Sequence, residues 1–209
     1  MANVSGRNAS ANWCLPGTVM QSALIKNKFS VCSVNSQSIC ARKLTKLDEL
    51  RQISQLSNVD VICVTESWLN DRIDNPLLTI EGYNIVRHDR KGRLGGGILI
   101  FIKEGMRYTL LEKSVDQTGV PNAEYLAIEI LLGNEKLFFV GMYNPPEVNC
   151  TDVIDCLLSK YGTHYSNLFV TGDLNTNLLN HNSIKTTQLT SLLSIHNMFS
   201  LGSEPTFLS

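Results

Sequence analysis

The chain has 209 residues, of which 43% are apolar and 18% are charged, and its formal net charge at pH 7 is -1. This composition excludes a disordered or fibrous protein and suffices for one domain with a good-sized hydrophobic core. It also excludes a generally basic coat for nucleic acid, so any contact with DNA has to come from a local patch.

The cysteines and the N-terminal residues indicate the compartment. The six cysteines form no CxxC pair and no cluster with histidine at zinc-binding spacing, which favours neither a disulfide framework nor a zinc site. The first 28 residues lack the basic, apolar and small-residue order of a signal peptide. No apolar run reaches the roughly 18 residues that span a bilayer. We therefore expect an intracellular protein, nuclear or cytoplasmic, that is not secreted and makes no membrane contact.

The first part of the chain predicts a lead-in followed by a strand–helix–strand unit. Residues 1 to 28 mix Ser, Asn, Gly and Ala with little period, which predicts a weakly structured N-terminal segment. A strand is predicted from Phe29 to Val34, and a second, fully buried strand from Asp60 to Thr65. Between them an apolar residue recurs at every third position, which predicts the inward stripe of an amphipathic helix. The stripe consists of Leu44, Leu47, Leu50, Ile53 and Leu56.

Two hairpins are predicted in the middle of the chain. Strands over Tyr83 to Arg87 and Gly97 to Lys103 flank a turn-rich, glycine-rich segment. Strands over Glu124 to Leu132 and Lys136 to Tyr143 are separated by Gly133-Asn134, a strong tight-turn signal because both residues accept a positive φ.

The last part of the chain alternates helices and a strand. A helix is predicted from Thr151 to Lys160, a strand from Asn167 to Thr171 and a helix from Thr186 to Asn197. Helices that alternate with strands at both ends, with hairpins between, indicate an α/β fold. We expect two mixed sheets packed face to face with helices outside, and not a purely parallel sheet.

Polar residues that close buried strands are the candidates for chemistry, because a strand buried on both faces rarely needs to end in a carboxylate or an amide. These residues are Asn35, Glu66, Tyr143, Asp173 and Asn175. A carboxylate and an amide oxygen are hard ligands that suit Mg²⁺, and two polar groups two positions apart can hold and deprotonate a water molecule. If the strands converge, the set is typical of a phosphodiester-cleaving site.

Each of these residues also has a structural explanation. Asn35, Asp173 and Asn175 are common turn residues, and Glu66 fits a solvated rim. Tyr143 is an ordinary amphipathic strand-end residue. The functional interpretation depends on the five residues acting together at successive strand ends.

A small basic cluster accompanies the glycine-rich segment. Arg90, Lys91 and Arg93, with Arg87 nearby, are candidates for weak contact with a DNA backbone, although a solvated turn explains them equally well. Gly92 to Gly97 lacks the Gly-Lys-Ser/Thr ending of a phosphate-binding P-loop and precedes a strand, which favours a flexible turn.

In this order, the strand-end segments resemble the endonuclease/exonuclease/phosphatase superfamily, and most of all the endonuclease domain of LINE-type (non-LTR) retrotransposons. The matching segments are Asn35-Ser36-Gln37-Ser38, Lys46-Leu47-Asp48-Glu49-Leu50, Thr65-Glu66-Ser67-Trp68-Leu69, Asp89-Arg90 ahead of Gly95-Gly96-Gly97, Tyr143-Asn144-Pro145-Pro146 and Gly172-Asp173-Leu174-Asn175. The resemblance implies a four-layer α/β sandwich over residues 29 to 209 that nicks DNA with Mg²⁺ or Mn²⁺. A reverse transcriptase region is the implied partner in a full-length element, and no oligomeric state is predicted.

The resemblance also implies a role for each residue. Glu66 would be the metal ligand, Asn35 a partner in the metal shell, and Tyr143 a phosphate contact, while Asp173 and Asn175 would handle the water. The later motifs of the superfamily, an Asp and a terminal Ser-Asp-His, do not follow Glu204-Pro205-Thr206 in this sequence. From this we expect a domain incomplete at its C-terminus, lacking its last strands, with little or no nicking activity of its own.

Two other functions stay open on the sequence alone. A phosphatase of the same fold that acts on phosphoinositides or sphingolipids would use the same acidic chemistry, because a fold does not fix a function. A non-catalytic relic or binding module would keep the fold without holding a metal ion.

Overall fold

The computed structural model describes residues 29–41, 45–116 and 120–201 in full, and the backbone alone of residues 4–5, 10–15, 18–24 and 42–44. The strands are β1 (Val4–Ser5), β2 (Ser10–Leu15), β3 (Thr18–Leu24), β4 (Ser30–Asn35), β5 (Val61–Thr65), β6 (Tyr83–His88), β7 (Ile98–Lys103), β8 (Tyr108–Lys113), β9 (Glu124–Leu132), β10 (Glu135–Tyr143), β11 (Asn167–Asp173) and β12 (Phe199–Ser200). The helices are α1 (Ala41–Ser57), α2 (Thr151–Tyr161) and α3 (Ile184–Ile195), with short 3₁₀ turns at Asn75–Leu78 and Gly162–His164.

The strands form two mixed sheets. Sheet A has the order β12-β1-β11-β10-β9-β8, and sheet B has the order β2-β3-β4-β5-β7-β6. In sheet B, β4 and β5 run parallel across α1, and in sheet A, β10 and β11 run parallel across α2. The remaining pairs are antiparallel. Each parallel pair with its crossover helix is a βαβ unit.

The two sheets pack face to face through their apolar inner faces. Phe139 and Phe169 of sheet A stack with centroids 5.7 Å apart, and Phe29 meets Phe139 edge-on at 6.4 Å. In β5 the side chains alternate: Val61 and Cys63 face sheet A, while their neighbours face α1. Helices α2 and α3 cover the outer face of sheet A. The layers are therefore helix, sheet, sheet and helices, which confirms the predicted four-layer α/β sandwich.

The predicted elements fall close to the observed ones. The first βαβ unit, the two hairpins, α2, β11 and α3 all form. Strand β8, a half-exposed edge strand, was not predicted, because its sequence shows no clean alternation of buried and exposed residues. No helix in the described part of the chain is both long and apolar enough to cross a membrane.

Two predictions need correction. The predicted weakly structured segment contains strands: β2 and β3 extend sheet B from β4, and β1 lies between β11 and β12. Strand ladders form between backbone groups, so the low apolar period of residues 1 to 28 did not exclude them. The helix stripe also ends before Leu56, which is 84% exposed, whereas Leu47, Leu50 and Ile53 are buried. Each step of three residues falls about 60° short of a full turn, so Leu56 lies opposite Leu47.

Candidate active site

The carboxyl ends of the two parallel strand pairs meet at one rim of the sandwich. Asn35 is the last residue of β4, and Glu66 follows β5. Tyr143 and Asp173 end β10 and β11, and they are partners in the ladder between those strands. The rim therefore collects residues from both sheets.

Asn35 connects the two carboxylates of the rim. Its Nδ2 donates to Glu66 Oε1 at 3.2 Å and to Asp173 Oδ2 at 2.6 Å. Its Oδ1 accepts from the backbone N–H of Gln37 at 3.1 Å, which fixes the orientation of the amide. Three of the predicted residues therefore touch directly, and two carboxylates converge on one small volume.

The backbone around Glu66 is held in an uncommon conformation. Glu66 has φ 51° and Trp68 has φ 54°, values that cost free energy for residues other than glycine and that are common at functional sites. The Glu66 carbonyl accepts from the Ser38 backbone N–H at 2.8 Å and from Ser36 Oγ at 2.9 Å. These bonds hold the segment so that the Glu66 carboxylate projects into the rim.

Asp173 is buried, and both of its oxygens accept hydrogen bonds. One oxygen accepts from Asn35, and the other accepts from the Asn175 backbone N–H at 3.0 Å. The side-chain amide of Asn175 donates to the Asn144 carbonyl at 2.8 Å. Asn175 therefore lies beside Asp173, and its side-chain amide nitrogen is bonded to a backbone carbonyl.

The glycine before Asp173 allows a close approach of strands. Gly172 has φ 128°, and a Cβ there would lie 1.9 Å from the Met142 carbonyl oxygen. Only glycine fits this position, which sets where the Asp173 carboxylate leaves the strand.

Tyr143 is buried at the same rim. Burial, followed by the negative charge of Glu66, raises the pKa of the Tyr143 phenol to about 12. Tyr143 is therefore a neutral hydrogen-bond donor at physiological pH, as a contact to a phosphate oxygen requires.

Arg90 lies beneath Tyr143 in a buried ion pair. Its guanidinium carbon is 5.3 Å from the Tyr143 ring centroid, and its Nε donates to Glu124 Oε1. The second oxygen of Glu124 accepts from the Gly97 backbone N–H at 2.6 Å. The side chains of Arg90 and Glu124 are 9% and 1% exposed. The predicted surface contact of Arg90 with DNA therefore does not fit its position, because its charge is already compensated inside the protein.

Glu124 was missed by the sequence predictions. It opens β9, a mostly apolar strand whose other carboxylate is Glu129, and a carboxylate in such a strand is rarely buried without a partner. Arg87 is also structural: it pairs with Asp89 and donates to the carbonyls of Asn70 and Ile73. Of the predicted basic residues, Lys91 is exposed and Arg93 is half-exposed.

The donor atoms of the rim fit a hard divalent cation. Among the described residues no lysine, arginine or histidine forms a salt bridge with Glu66 or Asp173, so their converging charges lack a cationic partner. No group of three His, Cys, Asp or Glu residues that could hold a metal occurs in the described parts of the chain. Two carboxylates beside a phenol oxygen suit Mg²⁺, which keeps several waters, and do not suit zinc.

The four-layer arrangement is the endonuclease/exonuclease/phosphatase fold. Solved structures with this likeness include the endonuclease domain of TRAS1, a telomere-specific non-LTR retrotransposon, which has 13% identity and a TM-score of 0.58, with 80% of this chain and 72% of that chain covered. The AP endonuclease LMAP from Leishmania major has 13% identity and a TM-score of 0.64, with 83% and 68% covered.

A third solved structure of this fold is a TDP2 protein. TDP2 from C. elegans has 19% identity and a TM-score of 0.55, with 74% of this chain and 50% of that chain covered. No family model and no curated protein matches the chain. At these identities the likeness shows the fold, and the function has to be argued from the site.

Proposed function

We propose that the chain is a metal-dependent phosphodiester hydrolase that nicks DNA. The observation that carries the proposal is the bridge from Asn35 to Glu66 and Asp173, which brings carboxylates from both sheets to one point beside a neutral tyrosine hydroxyl. The fold is the one found in the TRAS1 endonuclease domain and in AP endonuclease LMAP, which supports a phosphodiester substrate.

The residues divide the chemistry by position. Glu66 would hold Mg²⁺ or Mn²⁺, which supplies charge stabilisation for the phosphate and the leaving oxygen when bound. Asn35 would belong to the metal shell by orienting the Glu66 carboxylate through its amide nitrogen. Asp173 accepts from the same Asn35 amide nitrogen as Glu66, and its carboxylate can accept the proton of an attacking water. Asn175 keeps Asp173 oriented through its backbone N–H. The Tyr143 hydroxyl donates to a non-bridging phosphate oxygen.

The surroundings of the rim favour DNA over a lipid headgroup. Trp68, next to Glu66, is 46% exposed, and the basic side chains of Lys91 and Arg93 lie on the neighbouring glycine-rich loop. An exposed aromatic ring next to basic groups is typical of nucleic-acid binding, because bases stack on rings and phosphates pair with cations.

A plasmid-nicking assay tests the proposal. We expect slow conversion of supercoiled to relaxed plasmid in Mg²⁺ or Mn²⁺, in line with the weak nicking that the resemblance implies for this chain alone, and a loss of that conversion in Glu66→Gln and in Asp173→Asn. Glu104→Gln is the matched control, because Glu104 is an exposed carboxylate in the turn after β7. Equal nicking by all three variants would show that the activity does not come from this site.

The two alternative functions predict other results. A phosphatase would release phosphate from phosphoinositide or sphingolipid headgroups and leave the plasmid intact. A non-catalytic module would bind neither Mg²⁺ nor Mn²⁺ in calorimetry, whereas a nuclease site would bind the metal and lose it in Glu66→Gln.

A further inference from the structure

Trp68 presents an aromatic ring to solvent next to the proposed metal ligand. It is 46% exposed, and its Nε1 donates to Glu66 Oε2 at 3.2 Å. Its backbone has a positive φ and is fixed by a bond from its N–H to the Gly96 carbonyl at 3.0 Å. The indole is therefore held in one orientation and does not hang loosely from the surface.

A groove of about 430 Å³ opens along this ring. Its lining includes Trp68, Asn70, Arg93, Leu94 and Gly95. Leu94, in the same loop, is 99% exposed and adds an apolar side chain to the lining. A Cβ on Gly95 would lie 3.7 Å from Trp68 Nε1, so the loop approaches the indole closely at a position without a side chain. The groove thus offers one flat aromatic wall and one aliphatic side chain.

The charges around the groove point to the kind of ligand. None of the described residues that line it is acidic, and Arg93 is one of them. Lys91 is exposed on the same loop. A ligand that suits a flat apolar wall with cations at its edge is planar and carries anionic groups, as a nucleotide does.

We propose that the groove beside Trp68 binds the base of an unpaired nucleotide adjacent to the phosphate held at the rim. This inference rests on the proposed function, because the rim is what places a phosphate next to the ring. A base inside a duplex is stacked on its neighbours, so only an unpaired or extruded base can reach the indole. The protein then prefers DNA that is single-stranded or locally unpaired at the cleavage point.

Binding without cleavage tests the groove separately from the nuclease proposal. In EDTA, fluorescence anisotropy compares a labelled single-stranded oligonucleotide with an abasic oligonucleotide of the same length and charge. We expect the base-containing strand to bind roughly 10-fold more tightly. The chain contains two tryptophans, so a Trp13→Phe background also reports quenching of Trp68 emission by the stacked base. Equal binding of the two strands would overturn the proposal.

Matched variants separate stacking from support of Glu66. Trp68→Phe keeps an aromatic ring but loses the N–H that donates to Glu66, whereas Trp68→Ala loses both. We expect Trp68→Phe to keep most of the preference for the base-containing strand and Trp68→Ala to lose it, with Leu94→Ala in between. If both Trp68 variants keep the preference in EDTA, the groove is not the base site. Absence of any Mg²⁺ or Mn²⁺ binding in calorimetry would contradict the nuclease proposal, and the binding comparison in EDTA would still test the groove.

Discussion

Arg90 and Glu124 form a charged pair withdrawn from solvent beneath the rim. Burying two charges costs several kcal/mol per ion, and the cost is offset only when geometry and further hydrogen bonds are good. Here Glu124 also accepts from the Gly97 N–H, and a Cβ at Gly96 would lie 2.2 Å from the Arg90 guanidinium carbon. The pair therefore fixes the glycine-rich loop and supports the face of Tyr143.

Glu124→Gln is expected to destabilise the protein by about 3 kcal/mol, because it leaves the Arg90 charge buried without its counter-charge. Urea unfolding would measure the change. The matched control is Arg90→Met with Glu124→Leu, which removes both charges and should recover much of the loss. If the double variant is less stable than Glu124→Gln, the loss of stability in Glu124→Gln does not come from an uncompensated charge on Arg90.

At the scale of elements, His88 joins the two sheets near the rim. It ends β6 in sheet B, and its Nε2 is 3.0 Å from Oγ of Ser114, which follows β8 in sheet A. Ser114 Oγ accepts from the Tyr125 backbone N–H, so its own proton is available for a neutral His88 ring. Burial lowers the pKa of His88, against the opposing charge of Asp116.

This burial predicts a stability loss in acid. In the unfolded chain the His88 ring takes up a proton near pH 6.5, whereas in the folded protein it takes up the proton only at lower pH. The contribution of neutral His88 to stability is therefore complete above pH 6.5. It falls as the pH drops through the window down to the lowered pKa of folded His88. Urea unfolding between pH 8 and pH 5 should show a steeper decline for the parent than for His88→Asn. Parallel curves would mean that another group carries the pH dependence.

Elements with a strong local pattern were predictable, and those that depend on partners were not. The run Val61–Thr65 is apolar throughout, and a strand buried on both faces gives that pattern. Edge strand β8 forms by pairing with β9, and β2 and β3 form as an extension of the sheet from β4. The hairpin turn was also only partly as expected: Gly133 has a positive φ and Asn134 does not.

At the scale of the whole molecule, the rim is a joint between the sheets. Asn35 ends a strand of sheet B and Glu66 directly follows another, while Tyr143 and Asp173 end strands of sheet A. The sequence identifies all four as strand ends, since each interrupts a buried run. It could not show that Asn35 meets Asp173, because the contact joins residues 138 positions apart and depends on how the sheets pack. The role of Glu124 could not be predicted for the same reason, because Glu124 begins a strand of sheet A and its partner Arg90 lies in a loop of sheet B.

Because the carboxylates of Glu66 and Asp173 converge where the two sheets meet, we expect the stability of the whole fold to depend on Mg²⁺. Without a cation the charges of Glu66 and Asp173 repel each other, and a bound ion would link the sheets. At 100 times the Kd, binding adds about 2.7 kcal/mol, or roughly 5 to 10 °C in Tm for a chain of this size. Glu66→Gln should raise the metal-free Tm slightly and abolish the rise with Mg²⁺, since it relieves the repulsion and removes the ligand. Thermal melts at matched ionic strength, with Glu104→Gln as control, measure both effects. A rise that persists in Glu66→Gln would place the cation elsewhere on the molecule.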